Sequence, residues 1–202
     1  RFPGGNPGGK ADWGWAQHML ASLNETGRAA VVLDTGAASR GSGGRATHKE
    51  RDTRKAFIES DVIEAVILLP ENMFYNTTAP GIIMLLNRKK PAKRVNQILL
   101  VNASGYFLKE KPKNVLTDEG IRAVAGAFVK WESVAKLSHI LTLEDARASD
   151  YNLNPSQFVD INERIEHRPL SVIVAELRAA KIGQQTADEE LTAGLRKLGF
   201  EL

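Results

Sequence analysis

The sequence predicts an α/β fold, a mixed sheet flanked by helices with a helical tail, from three observations. The run VIEAVILLP from Val62 to Pro70 is apolar at nearly every position and β-branched, which suits a strand covered on both faces. Helix-patterned and strand-patterned segments alternate over short distances, as layered α/β folds require. The 202 residues are 43% hydrophobic, enough for a sizeable core.

The elements follow in order. Asp12 is expected to cap a helix to about Glu25, with Trp13, Ala16, Leu20 and Leu23 on one face and Gly27 ending it. Arg28 to Leu33 reads as a buried strand, and Glu50 to Ser60 as a helix feeding the strand Val62 to Leu69. Gly81 to Asn87 and Gln97 to Asn102 read as two further strands, paired as a hairpin across a polar linker containing Pro91. Thr117 caps a helix through Trp131, whose Ile121, Val124, Ala125 and Phe128 have core spacing. Thr142 and Asp145 approximate the capping box of a short helix, and Tyr151 to Pro155 reads as an extended strap. Past Pro169, Leu170, Ile173, Val174 and Leu177 form one apolar stripe. Leu191, Leu195 and Leu198 form another, and Gly183 to Thr186 is expected to break the helix between them. Residues 1–160 are read as one domain and 161–202 as a helical tail.

Composition narrows the classes. No Cys is present, which excludes a disulfide scaffold and a thiolate metal site. No apolar run approaches the roughly 18 residues a membrane helix needs, so the expected compartment is cytoplasmic. His18, His48, His139 and His167 are too scattered for a metal-ligand pattern. The net charge is only +3, from 27 Lys+Arg against 24 Asp+Glu. Between Leu86 and Lys113, however, Arg88, Lys89, Lys90, Lys93, Arg94, Lys109, Lys111 and Lys113 face a single acid, Glu110. Such an excess either follows a phosphate backbone or keeps sheet edges apart. Arg40, Arg45, Lys49 and Arg51 form a second basic group in a loop whose glycines would let it move toward a ligand.

The most informative stretch is LPENMFYNTTAPGIIMLLNR, Leu69 to Arg88. It places Phe74, Tyr75 and Asn76 on a loop between two strands, with Thr77 and Pro80 shaping that loop. An aromatic pair beside an amide either plugs the end of the core or grips a planar group such as a nucleobase.

This stretch resembles the modification subunit of type I restriction–modification systems, an adenine-N6 DNA methyltransferase. ADWGWAQHML (Ala11 to Leu20), NETGRAAVVLDTG (Asn24 to Gly36), LTDEGIRAVAGAF (Leu116 to Phe128) and DYNLNPSQFVD (Asp150 to Asp160) occur in that family's order. The resemblance implies the C-terminal part of a Rossmann-like methyltransferase domain that uses S-adenosylmethionine. It implies substrate-binding roles for Phe74, Tyr75, Asn76, Thr77 and Pro80, at least one ring stacking on a flipped adenine. Arg40, Arg45, Arg88, Lys89 and Lys90 are the candidate DNA-backbone contacts. The expected partners are DNA, a specificity subunit docked through the tail and, where present, a restriction subunit, with no membrane.

The family's Asn/Asp-Pro-Pro-aromatic motif and its Gly-rich cofactor loop are both missing. Asn6-Pro7-Gly8-Gly9 lacks the second proline and the ring, and Gly41-Ser42-Gly43-Gly44 stands too far after Leu33 for a tight cofactor turn. The chain is therefore expected to be the C-terminal part of a longer enzyme, inactive alone, with no catalytic, cofactor-binding or metal residue of its own.

Two alternatives come from other classes. Val32-Leu33-Asp34-Thr35-Gly36-Ala37 matches the active-site turn of retroviral-type aspartic proteases, where a dimer would bring two Asp34 carboxylates together. The family usually has Pro-Asn-Gly here, so the role of Asp34-Thr35-Gly36 stays open. The other alternative is a noncatalytic DNA- or protein-binding module.

Overall fold

The computed structural model describes residues 4–44, 46–161 and 170–197. The chain forms two units, residues 1–161 and 162–202. The first is built on a five-stranded mixed sheet in the order β1-β3-β2-β4-β7. These strands are β1 (Arg28–Asp34), β2 (Ile63–Leu68), β3 (Gly81–Asn87), β4 (Gln97–Asn102) and β7 (Ser138–Thr142). A two-stranded ribbon, β5 (Phe107–Leu108) and β6 (Val115–Leu116), stands apart from it. Helices α1 (Asp12–Ser22), α2 (Lys49–Glu59), α3 (Asp118–Lys130), α4 (Leu143–Ala148) and α5 (Pro155–Phe158) surround the sheet.

β2 is buried at every position and lies between β3, antiparallel, and β4, parallel. One sheet face, with Val66, Ile82, Met84, Leu86 and Leu100, packs on α1, α2 and α4 through Trp13, Leu20, Phe57 and Ala146. The opposite face, with Ala65, Ile67, Leu99 and Val101, packs on α3 through Ala127, Val124 and Phe128. Trp13 is fully buried, meets Phe57 edge-on at 5.1 Å, and donates its indole N–H to the Ala37 carbonyl at 3.0 Å. Its polar atom is thus satisfied inside the core.

Several expectations change. β3 and β4 do not form a hairpin, because β2 runs between them. The linker crosses the start of β2, where Lys90 pairs with Asp61 at 2.5 Å and Arg94 with the buried Glu64 at 2.9 Å. Arg94 also lies over the Phe128 and Trp131 rings, 4.8 and 4.4 Å from their centroids. A hairpin would strand these charges, a large cost for a buried carboxylate.

β1 is an edge strand rather than a buried one. Val31 and Leu33 face the core, whereas Val32 is 54% exposed. α1 ends at Ser22, and its N-cap is Ala11, because the Asp12 carboxylate pairs with Arg40 instead of capping. Thr117 and Thr142 cap as expected, accepting from the Gly120 and Asp145 backbone N–H groups at 3.0 and 3.1 Å. Of the α3 stripe, Val124 and Phe128 pack on the core, but Ile121 and Ala125 are exposed.

The second unit contains α6, a single helix Leu170–Lys197 rather than two segments. Gly183 costs only about 1 kcal/mol relative to Ala, and the Ala, Gln and Glu residues around it carry the helix through. Leu198, in the expected second stripe, lies outside the described residues, as does His167.

Candidate substrate-binding site

The loop between β2 and β3 is closed at its base by Leu69 N–H donating to the Gly81 carbonyl at 2.9 Å. A second bond, Asn72 N–H to Thr78 O at 2.8 Å, narrows it further out. Asn72 adopts the left-handed conformation, φ 54°, which asparagine tolerates in turns. The segment before β6 braces the loop from outside. Asn114 donates through its backbone N–H to Asn72 O and through Nδ2 to Glu71 O, both at 2.9 Å. Lys113 Nζ donates to Asn72 Oδ1 at 3.0 Å and to Thr77 O at 3.3 Å.

Antiparallel pairing sets Asp34, the last residue of β1, opposite Gly81, the first of β3. Between the two strand ends lies a cavity of about 240 Å³ lined by Asp34, Phe74, Thr77 and Pro80, with Val32, Leu33, Ala79 and Gly81. Phe74 is half-buried against the second core cluster, and Gly81 leaves room for its ring. This cavity is smaller than the roughly 300–1,000 Å³ of drug-sized pockets, and its aromatic and apolar lining with few polar groups suits a single flat group.

Three of the five residues singled out on this loop, Phe74, Thr77 and Pro80, therefore line one cavity. Tyr75 is 87% exposed, and neither it nor Asn76 is among the lining residues. Asp34 joins the loop residues only through the β1–β3 pairing, a long-range contact without a local sequence signal.

Asp34 is held from two sides. Its Oδ1 accepts from Gly36 N–H at 2.6 Å, capping the 3₁₀ turn Thr35–Ala38, and from Arg40 Nη1 at 3.0 Å. Arg40 also pairs with Asp12 of α1 and, at 2.5 Å, with the buried Glu50 of α2. Burial works against the Arg40 charge, but hydrogen bonds to Glu50 and Asp12 and their attraction raise its pKa above the ordinary value. A single guanidinium thus ties two helices to the end of β1.

The loop that follows is anchored rather than free to move toward a ligand. Fully buried Arg54 donates to the carbonyls of Tyr151, Ala37 and Arg40 and to Ser42 Oγ. Burial pulls its pKa down to about 10, against the attraction of Glu50 and Asp150. Gly43 N–H donates to the Asp150 carboxylate at 2.8 Å, and Leu153 N–H to Ala38 O at 2.9 Å. The Gly41–Gly44 run therefore does not fit S-adenosylmethionine, since Gly43 N–H is turned to an internal acid.

The basic candidates do not form one exposed stripe. Arg40 is engaged as described, Arg88 donates twice to Leu20 O, and the Lys90 side chain is buried between Asp61 and Gln97 O. Burial lowers the Lys90 pKa, opposed by its bond to Asp61. Lys89 is exposed, and Arg45 lies outside the described residues. A larger groove of about 420 Å³ runs along Pro7, Lys10, Trp15 and His18, but it is mostly apolar and contains no carboxylate or amide side chain. Among the described residues no group of three His, Asp or Glu side chains could hold a metal, and no helix is long and apolar enough to cross a membrane.

Asp34 thus sits in an α/β sheet beside an arginine, unlike the all-β, paired-carboxylate arrangement that the protease alternative requires. Comparison with known proteins agrees. Residues 1–167 match the N-6 DNA methylase family. The type I restriction enzyme MjaVIII methylase subunit of Methanocaldococcus jannaschii is 40% identical over 179 residues, 87% of this chain and 29% of that protein. The HindI methylase subunit of Haemophilus influenzae is 31% identical over 207 residues, 96% of this chain and 45% of that protein. The chain thus spans less than half the length of either relative. A solved type I methyltransferase subunit from Streptococcus thermophilus superposes with a TM-score of 0.70 at 32% identity, covering 78% of this chain and 32% of that one. By its sequence and its sheet alike, the chain belongs to the N-6 DNA methylase family and is similar to the methylase subunits of type I restriction–modification systems.

Proposed function

We propose that this chain supplies one wall of the target-base pocket in an adenine-N6 DNA methyltransferase subunit, the longer protein transferring a methyl group from S-adenosylmethionine to adenine in duplex DNA. The observation that carries this reading is the cavity between the ends of β1 and β3, with the Phe74 ring at one side. An adenine inside a duplex must leave the stack for its amino group to be reached, and an aromatic face offers the extrahelical base a stacking surface. Stacking of this kind is worth about 1–3 kcal/mol per base. Phe74 takes that role, with Thr77 and Pro80 shaping the pocket, while Tyr75 and Asn76 meet the DNA outside it.

The cofactor and the groups that polarise the amino nitrogen belong to the remainder of the enzyme. Among the described residues β1 pairs on one side only. An apolar, seven-residue edge is an aggregation hazard if left open, and in the whole subunit it continues the sheet as part of a Rossmann-like domain. Residues 1–160 are then the C-terminal part of that domain, and by themselves they do not methylate. Lys89, with Arg45, follows the DNA backbone, and Arg40, Arg88 and Lys90 serve the fold.

The helix α6 leaves Leu170, Leu177 and Leu191 exposed, three members of one seven-residue repeat with Gln184 at the remaining place. That spacing suits a partner helix, and a specificity subunit is the partner this reading assigns, in a cytoplasmic complex that also accommodates a restriction subunit. The test is methyl transfer to DNA by the full-length subunit with its specificity subunit, wild type against Phe74→Ala. Robust transfer by the wild type and a loss of at least tenfold in the variant support the reading. No transfer by a folded wild-type assembly favours a noncatalytic binding module.

A further inference from the structure

The β5–β6 ribbon stands at the same end of the sheet as the Phe74 cavity. The chain leaves β4 beside the end of β2, where Ala103 N–H donates to Leu68 O at 2.9 Å, and the ribbon with its turn, residues 109–114, follows. Ligands of open α/β sheets bind outside the carboxyl ends of the strands, which is this end for β1, β2 and β4. The turn is fastened to the loop that borders the cavity. Asn114 holds the Glu71 and Asn72 carbonyls, and Lys113 Nζ holds Asn72 Oδ1 and the carbonyl of Thr77, a residue of the cavity lining. Both acceptors of Lys113 are neutral, so they leave its charge uncancelled. Lys109 and Lys111 are exposed, and among the described residues neither makes an ion pair or a side-chain hydrogen bond. On the turn and the loop that it grips, the acids are Glu110 and Glu71, against Lys109, Lys111 and Lys113, so the surface there is net positive. Asp118 and Glu119 lie past the opposite end of the ribbon, in the first turn of α3.

We propose that the β5–β6 turn is a phosphate clamp on the DNA strand that carries the target base, with Lys109 and Lys111 meeting the phosphates that flank the flipped nucleotide. The assignment rests on the methyltransferase reading above and adds to it a backbone-gripping surface tied to the base loop itself. A base drawn out of the stack into the cavity brings its own flanking phosphates to the mouth. An exposed lysine meets a phosphate there as a point charge on a flexible stem. Contacts of this kind fix register and orientation without reading sequence. The ribbon also exposes Leu108 and Val115, paired across it, but two side chains make too small an apolar patch to mark a protein interface.

The experiment measures DNA binding against salt by the full-length subunit with its specificity subunit, wild type beside the double variant Lys109→Gln, Lys111→Gln. Both side chains are exposed and hold nothing in the fold, so the variant keeps its structure. Each lost phosphate contact lowers the slope of log affinity on log salt by about 0.9. The wild type is therefore expected to lose about tenfold more affinity than the variant between about 50 and about 200 mM salt. A second duplex, with neutral methylphosphonates at the phosphates flanking the target adenine, locates the contact: it should weaken the wild type and leave the variant nearly unchanged. Equal salt slopes, or the same loss on the second duplex for both proteins, overturns the assignment. So does an unchanged slope with weakened binding to the specificity subunit, which would give the ribbon a protein partner instead. Failure of the wild-type assembly to methylate adenine would overturn the methyltransferase reading itself, and since the slopes are read without turnover the two failures are distinguishable.

Discussion

The Phe74 ring lies against Gly81 so closely that a Cβ on Gly81 would stand 2.8 Å from Phe74 Cε2 and 3.1 Å from Cζ. The glycine at the start of β3 therefore sets the position of the ring that borders the cavity. Gly81→Ala is expected to push the ring away, at a stability cost of about 1–3 kcal/mol for overpacking. Denaturant unfolding of the chain measures the cost, and methyl transfer by the whole subunit measures the misplaced ring. Unchanged stability and unchanged transfer would mean that the ring moves freely.

Phe74 and Tyr75 are adjacent in sequence but differ in setting, one half-buried beside the cavity and the other projecting into solvent. Phe74→Ala should lower methyl transfer tenfold or more, from about 1–3 kcal/mol of lost stacking. Tyr75→Ala should change it by less than about threefold, since Tyr75 meets the DNA outside the pocket and takes no part in stacking on the target base. Steady-state assays on the two single variants separate the residues.

Arg54 satisfies three backbone carbonyls and one hydroxyl from a fully buried position, joining the loop after β1 to the strap that begins at Tyr151. Arg54→Met removes these donors and takes the Arg54 partner from the Tyr151 and Arg40 carbonyls, each costing about 1–3 kcal/mol, while the Ala37 carbonyl keeps the Trp13 indole N–H. The expected loss is roughly 3–5 kcal/mol, read as a shift of the urea midpoint. Protease cleavage near Gly41–Gly44 should rise with it.

Glu59 of α2 accepts from Arg147 Nε and Nη2 at 2.9 and 2.6 Å and from Tyr151 Oη at 2.9 Å. Those hydrogen bonds, Arg147 first, lower its pKa from the ordinary 4.5 to about 2. A carboxylate with a depressed folded pKa favours folding in its ionised form. Its contribution is thus complete above pH 4.5 and is lost as the pH falls toward 2. The stability advantage of the wild type over Glu59→Gln should therefore be constant near neutrality and shrink across that window. An advantage independent of pH there would contradict the ion-pair account.

Much of the sheet was legible because β2, β3 and β4 are apolar runs bounded by turn residues, and the expected spans of β3 and β4 coincide with the observed strands. The order of the strands was not. It depends on where the linker's Lys90 and Arg94 find Asp61 and Glu64, pairings that no local pattern encodes. β7 went unread because SHILT mixes polar and apolar residues over five positions. The expected break in α6 failed for the opposite reason, a single glycine being too weak to interrupt strong helix formers.

The site divides the same way. Phe74, Thr77 and Pro80 stood out from their loop, and the structure brings them together. Asp34 was legible only as a turn resembling a protease motif, and its place beside Phe74 follows from the register Asp34 to Gly81. The basic residues misled because sequence shows charge but not its internal partners, as with Lys90 and Asp61.

The most direct test of the central claim is methyl transfer from labelled S-adenosylmethionine to DNA by the full-length subunit with its specificity subunit, wild type beside Phe74→Ala. The account predicts transfer to adenine by the wild type and at least tenfold less by the folded variant. Equal transfer by the two would contradict the placement of the target base against Phe74.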